Sequence, residues 1–127
     1  MGLMKKIEKE LDDMWSSLVK LRADYTCEYS NNPNCFLNSH HIIEGRTHLL
    51  RWNLDNGICL DSRVHSQKAH STSNAEKKKF IKWLQEYKGI DTLHNLINLK
   101  WKLAEFTDDD LLELKEKFNR KIKEYQE

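Results

Sequence analysis

The stretch Ser39–His70, SHHIIEGRTHLLRWNLDNGICLDSRVHSQKAH, decides how this chain is read, because it packs five of the six histidines into about a quarter of the 127 residues. Two features stand out in it: the adjacent pair His40-His41, and Asn56 followed nine residues later by His65 and fourteen later by His70. Imidazole suits zinc, nickel and related ions, whereas oxygen ligands suit magnesium and calcium, so the cluster points first to a transition-metal site.

The local pattern around the histidines predicts a hairpin followed by a helix. Phe36-Leu37 through His41-Ile42-Ile43 reads as a strand ending at Glu44-Gly45, where glycine permits a tight turn. A loop over Arg46 to Asn53 precedes a second short strand at Gly57-Ile58-Cys59-Leu60. Asp61-Ser62, both good N-cap types, then open a short helix over Ser62 to Ala69. In an extended strand His40 and His41 point to opposite faces, so one can hold a metal while the other acts as a general base, histidine being the side chain that titrates nearest neutrality. His65 and His70 are five apart, which on an ideal helix leaves them about 140° apart. Joint ligation by both requires the helix to end or distort before His70.

Outward from this centre the chain reads as helical. Ile7, Leu11, Met14, Leu18 and Leu21 alternate spacings of four and three, an amphipathic N-terminal helix. Cys27 to Cys35, CEYSNNPNC, reads as a knuckle-like turn. After a polar break at 71–74, a helix from Ala75 to Tyr87 presents Phe80, Trp83, Leu84 and Tyr87 on one face and Lys77, Lys78, Lys79 and Lys82 outward, and Gly89 ends it. A further helical run follows Asp91, with Leu93, Leu96, Ile97 and Trp101 inward. Thr107 caps a last helix with acids in its first turn and a stripe of Leu111, Leu114, Phe118, Ile122 and Tyr125. The amphipathic terminal helices leave a homodimer open.

Composition narrows the class. Net charge is +1, from 21 basic and 20 acidic side chains, so no global field marks a polyanionic partner. Mean hydropathy is −0.79, yet four Trp, four Tyr and four Phe supply core material. No apolar run approaches the ~20 residues a membrane span needs, and the N-terminus lacks an apolar signal core, so a cytoplasmic protein without membrane contact is expected. Three cysteines make a disulfide framework a poor reading in a reducing compartment.

Taken together, S-H-H-I-I, then L-R-W-N-L-D-N-G-I-C-L, then a histidine nine past the asparagine resemble the HNH endonuclease family with its ββα-metal (His-Me finger) fold. The resemblance spans roughly Arg22 to His70, and the helix beyond it is similar to extensions of phage-type members. It implies an α+β fold, mostly helical, in a single nuclease domain over 1–127: an N-terminal helix (1–22), a ββα-metal core (23–72) and a helical extension (73–127). The implied activity is hydrolysis of DNA phosphodiester bonds with one divalent ion, Mg, Mn, Ni or Zn. By the same resemblance His40 is a metal ligand, His41 the general base and Asn56 a brace that aims His41. His65 is a second ligand and His70 a third. A viral source, and so the cytoplasm of a host cell, is also implied.

The chain departs from the family where many members carry two CxxC pairs around a structural zinc. Cys27-Glu28-Tyr29-Ser30 has one cysteine, and Asp61 and Val64 replace both of the second pair. A four-cysteine site cannot form there. Tyr25, Tyr29, Phe36 and Leu60 are expected to hold the fold instead, with the cysteines as buried free thiols. For DNA contact, His40 to Lys88 carries nine Lys/Arg against five acids. Arg46 and Arg51, flanking the loop, suit bidentate phosphate clamping, with Arg63 and Lys68 beside them. A non-catalytic, metal-stabilised DNA-binding or assembly module is the alternative reading.

Overall fold

The computed structural model describes residues 2–33, 36–45, 47–64, 74–102 and 104–127. In chain order these form α1 (Leu3–Arg22), β1 (Leu37–His41), α2 (His48–Arg51), a 3-10 turn (Leu54–Asn56), β2 (Gly57–Asp61), α3 (Ser62–Val64), α4 (Asn74–Lys88), α5 (Ile90–Lys100) and α6 (Asp108–Gln126). The fold is α+β and mostly helical, as the sequence predicts, around one antiparallel hairpin.

The hairpin pairs Leu37 with Asp61, Asn38 with Leu60, Ser39 with Cys59, His40 with Ile58 and His41 with Gly57. Opposed residues share a face, so His41, Gly57 and Cys59 look one way and His40, Ile58 and Leu60 the other. Each face has its own core. Cys59 packs with Ile7, Leu11, Trp15, Leu18 and Val19 of α1 and with Leu111 and Phe118 of α6. Ile58 and Leu60 pack with Cys27, Leu50, Phe80, Leu84, Leu93 and Leu96. The sheet is thus a middle layer between α1/α6 and α4/α5, the arrangement that lets each amphipathic helix bury its stripe.

Gly57 sets the spacing of the first interface. A Cβ there would lie 2.4 Å from Cγ2 of Val19 and 3.0 Å from Cζ2 of Trp15, so only glycine lets α1 cross β2 at this depth. α1 itself stops in a Schellman turn, in which Tyr25 N–H reaches Lys20 O at 2.9 Å and Asp24 N–H reaches Leu21 O at 3.0 Å. Asp24 takes the left-handed conformation there, at φ 53. α6 starts with the expected cap: Thr107 Oγ1 accepts from Asp110 N–H at 3.2 Å, and Asp110 Oδ2 accepts from Thr107 N–H at 2.9 Å.

The apolar stripes of α1 and α6 pack against each other in one core. Several expectations are corrected. The Arg46–Asn53 loop contains α2, one turn capped by Thr47, whose Oγ1 accepts from Leu49 N–H at 3.3 Å; four residues are too few for a periodic signal. β1 omits Phe36, Ile42 and Ile43, and Phe36 is 87% exposed. Tyr25 is also exposed, so of the four residues expected to hold the fold in place of a zinc, Tyr29 and Leu60 pack in the core. In α5, Leu93 and Leu96 point inward, but Ile97 and Trp101 face out. The helix from Ser62 begins where expected, and the rest of its expected span, residues 65–69, lies outside the described residues. No helix among the described residues is long and apolar enough to cross a membrane.

Candidate active site

His41 ends β1, and both its ring face and one ring nitrogen are fixed. Its imidazole stacks on Trp15 with centroids 4.0 Å apart and planes 5° from parallel. Its Nε2 lies 2.9 Å from the backbone oxygen of Arg51. A carbonyl only accepts, so in the neutral ring Nε2 carries the hydrogen and Nδ1 holds the lone pair. Among the described residues no hydrogen-bond partner is found for Nδ1.

Asn56, fully buried, staples the segment that follows His41. Its Oδ1 accepts from Ile43 N–H at 2.8 Å, and its Nδ2 donates to Ile43 O at 2.9 Å and to Leu50 O at 3.1 Å. With Ile42 N–H donating to Asn56 O at 3.0 Å, the side chain takes over from the strand ladder where β1 ends. Both ends of the excursion from Ile43 to Leu50 are therefore tied to one residue, and Arg51, which holds His41, follows directly.

The same segment is anchored to α1 by polar contacts. Arg51 gives Nε and Nη2 to the two carboxylate oxygens of Asp12 at 3.0 and 2.9 Å, and Nη1 to Glu8 at 3.0 Å. The Asp12 bonds raise the Arg51 pKa, against burial that pushes it down. Trp52 Nε1 donates to Asp12 at 2.9 Å, and Trp15 Nε1 donates to Asn53 O at 2.8 Å. The expectation that Arg51 clamps phosphate is corrected: its guanidinium is spent on two carboxylates of α1, and it orients His41 through its carbonyl.

His40 sits half-buried on the opposite face of the hairpin, beside Ile58. The uninterrupted register has no bulge, so the two histidines diverge as an extended strand requires. Of the other expected ligands, His65 and His70 lie outside the described residues, as do Arg46 and Lys68 among the expected phosphate contacts. Three imidazoles suit a transition ion, but the described residues supply His40 alone. Among them no three His, Cys, Asp or Glu side chains converge. Arg63 is exposed on α3, and Lys77, Lys78, Lys79 and Lys82 are exposed on α4.

Two of the positions that depart from the cysteine pattern, Ser30 and Asp61, nevertheless come together. Ser30 Oγ donates to Asp61 Oδ2 at 3.2 Å, and Ser30 N–H lies 3.4 Å from Cys27 Sγ. Cys27 and Cys59 are buried free thiols, while Cys35 lies outside the described residues. Glu28 adds a latch the sequence reading missed: its N–H bonds Cys59 O at 2.8 Å, one carboxylate oxygen accepts from Cys59 N–H at 2.7 Å, and the other from Tyr87 Oη at 2.7 Å. Burial, then this bond, pushes the Tyr87 pKa up to about 12. Arg22 closes the rest of that edge, donating to Leu54 O and Gly57 O, each at 2.8 Å. The outer edge of β2 is thereby blocked against further strand pairing.

Also missed were Glu8, Asp12 and Trp15, whose spacing of four and three puts them on one side of α1 beside its apolar stripe. His48, outside the motif, is a structural contact: its Nδ1 accepts from Phe106 N–H at 2.9 Å. His94 is exposed on α5. No family model, no curated protein and no solved structure matches the chain.

Proposed function

We propose that the chain is a metal-dependent endonuclease of the HNH type that hydrolyses DNA phosphodiester bonds in the cytoplasm of its cell or host. The observation that carries this reading is the clamped His41, one nitrogen held by the Arg51 carbonyl and the other left with its lone pair. A general base needs that arrangement, a fixed ring with the basic atom exposed to a water. Asn56 supports it as the brace of the His41 segment, and the meeting of Cys27, Ser30 and Asp61 supports a knuckle held by hydrogen bonds.

In the proposed reaction His41 Nδ1 takes a proton from water, whose oxygen forms a bond to phosphorus as the bond to the leaving sugar oxygen breaks. The Arg51 carbonyl accepts from the Nε2–H of the imidazolium that forms, so the ring keeps its orientation when charged. His40, with His65 and His70, would hold the divalent ion. When bound, that ion would stabilise negative charge on the scissile phosphate and leaving oxygen. Arg63, with Arg46 and Lys68, would contact flanking phosphates, making binding salt-dependent.

The test is incubation of purified protein with supercoiled plasmid in Mg²⁺, Mn²⁺, Ni²⁺ or Zn²⁺. Nicked or linear product is expected with at least one ion, and His41→Ala should bind metal without cutting. A preparation that binds DNA and one tight metal but cuts with none of these ions would point to a non-catalytic binding module instead.

A further inference from the structure

The four tryptophans divide sharply by environment. Trp15 and Trp52 are buried in packing, and Trp83 lies against Tyr29 and Tyr87. Trp101 is 76% exposed. Its backbone is anchored. At the end of α5 its N–H donates to Asn98 O, and Lys102 N–H donates to Leu99 O at 3.0 Å.

Its neighbours are cationic. Lys100 and Lys102 flank it and are exposed, with Lys100 Nζ 5.8 Å from the indole centroid. Ile90, His94, Ile97 and Trp101, spaced by four, three and four, form an outward stripe on α5 that ends at this indole. The position is local to the candidate site. A Cβ on Gly45, four residues past His41, would lie 3.6 Å from Cγ of Lys100, and α5 packs against α2 and the Leu54–Asn56 turn. An exposed indole between two lysines matches what an unstacked nucleotide offers, a π-face with a phosphate on either side.

We infer that Trp101 is a stacking platform for an unpaired DNA base, with Lys100 and Lys102 contacting the adjoining phosphates, beside the loop that follows the histidine pair. This rests on the nucleic-acid reading of that site and adds a single-stranded feature of the substrate to it. The lysines make the occupant polyanionic, which favours DNA over an apolar protein surface.

The test is fluorescence anisotropy of a labelled single-stranded DNA oligonucleotide with the full chain, comparing wild type, Trp101→Ala, Trp101→Phe and, as an exposed apolar control, Leu112→Ala. Loss of a base stack predicts about a tenfold weaker Kd for Trp101→Ala. Trp101→Phe, which keeps an aromatic face, and Leu112→Ala should bind nearly as wild type does. Circular dichroism would establish that the variants fold.

If wild type cuts plasmid and Trp101→Ala binds the oligonucleotide as well as wild type does, the platform is wrong and the nuclease reading stands. If Trp101→Ala loses binding while wild type cuts nothing, the platform stands and the nuclease reading falls. Absence of oligonucleotide binding by wild type overturns the inference, as does a Trp101-dependent dimer in sedimentation, which would make the stripe a contact between copies of this chain.

Discussion

The imidazole of His41 lies flat on the indole of Trp15, 4.0 Å between centroids and 5° from parallel. The indole does double duty, because its Nε1 also donates to Asn53 O. One side chain of α1 therefore positions both the ring at the end of β1 and the chain entering the Leu54–Asn56 turn. Trp15→Ala should lower stability in urea unfolding by about 3–5 kcal/mol as a buried aromatic truncation. Trp15→Phe, which keeps a ring but loses the hydrogen bond, should cost about 1–3 kcal/mol. Equal losses in the two variants would mean that the ring contact contributes nothing.

Asn56 makes its three side-chain bonds with a specific polarity, one acceptor toward Ile43 N–H and two donations toward carbonyls. Asn56→Asp preserves shape but turns a carboxylate oxygen toward the oxygens of Ile43 and Leu50. It should therefore be at least as destabilising as Asn56→Ala, which itself should cost about 2–4 kcal/mol for stranded buried groups. Chemical denaturation of both variants checks this; a stable Asn56→Asp protein would contradict the bonding pattern.

Tyr87 ties α4 to Glu28 and through it to β2. Its pKa rises from 10.0 to about 12 on folding, so the stability it adds is complete below pH 10 and disappears as pH climbs toward 12. Thermal melts should show wild type losing more stability across that interval than Tyr87→Phe. Parallel pH profiles for the two proteins would remove the proposed latch.

Arg51, ion-paired to α1, and Arg63, a proposed phosphate contact, should respond differently to substitution. Arg51→Met should lower the melting temperature, since it leaves Asp12 and Glu8 without their partner, while the salt slope of DNA binding stays as in wild type. Arg63→Ala should instead reduce that slope by about 0.9. Salt titrations of DNA affinity on the two variants decide the assignment; a reduced slope in Arg51→Met would return that residue to the phosphate contacts.

The hairpin, the terminal helices and the Thr107 cap were legible because each carries a local periodic or capping signal. The strand reading also made His40 and His41 diverge, and the observed register has them do so. What the sequence could not reveal depends on contacts between distant segments. Arg51 reads as a phosphate clamp until Glu8 and Asp12 are found some forty residues away on α1. Trp101 reads as core because large apolar residues usually are, yet α5 turns Leu93 and Leu96 inward and leaves the indole outside. Glu28 has no motif at all, since its partners are a backbone amide and a tyrosine on another helix.

The central claim, that His41 is a base held in place by the Arg51 carbonyl, is tested most directly by single-turnover DNA cleavage with His41→Ala. Cleavage should fall by about 10²–10⁴-fold, with metal and DNA binding intact, and should recover in part when free imidazole is added. Cleavage at the wild-type rate would contradict the account.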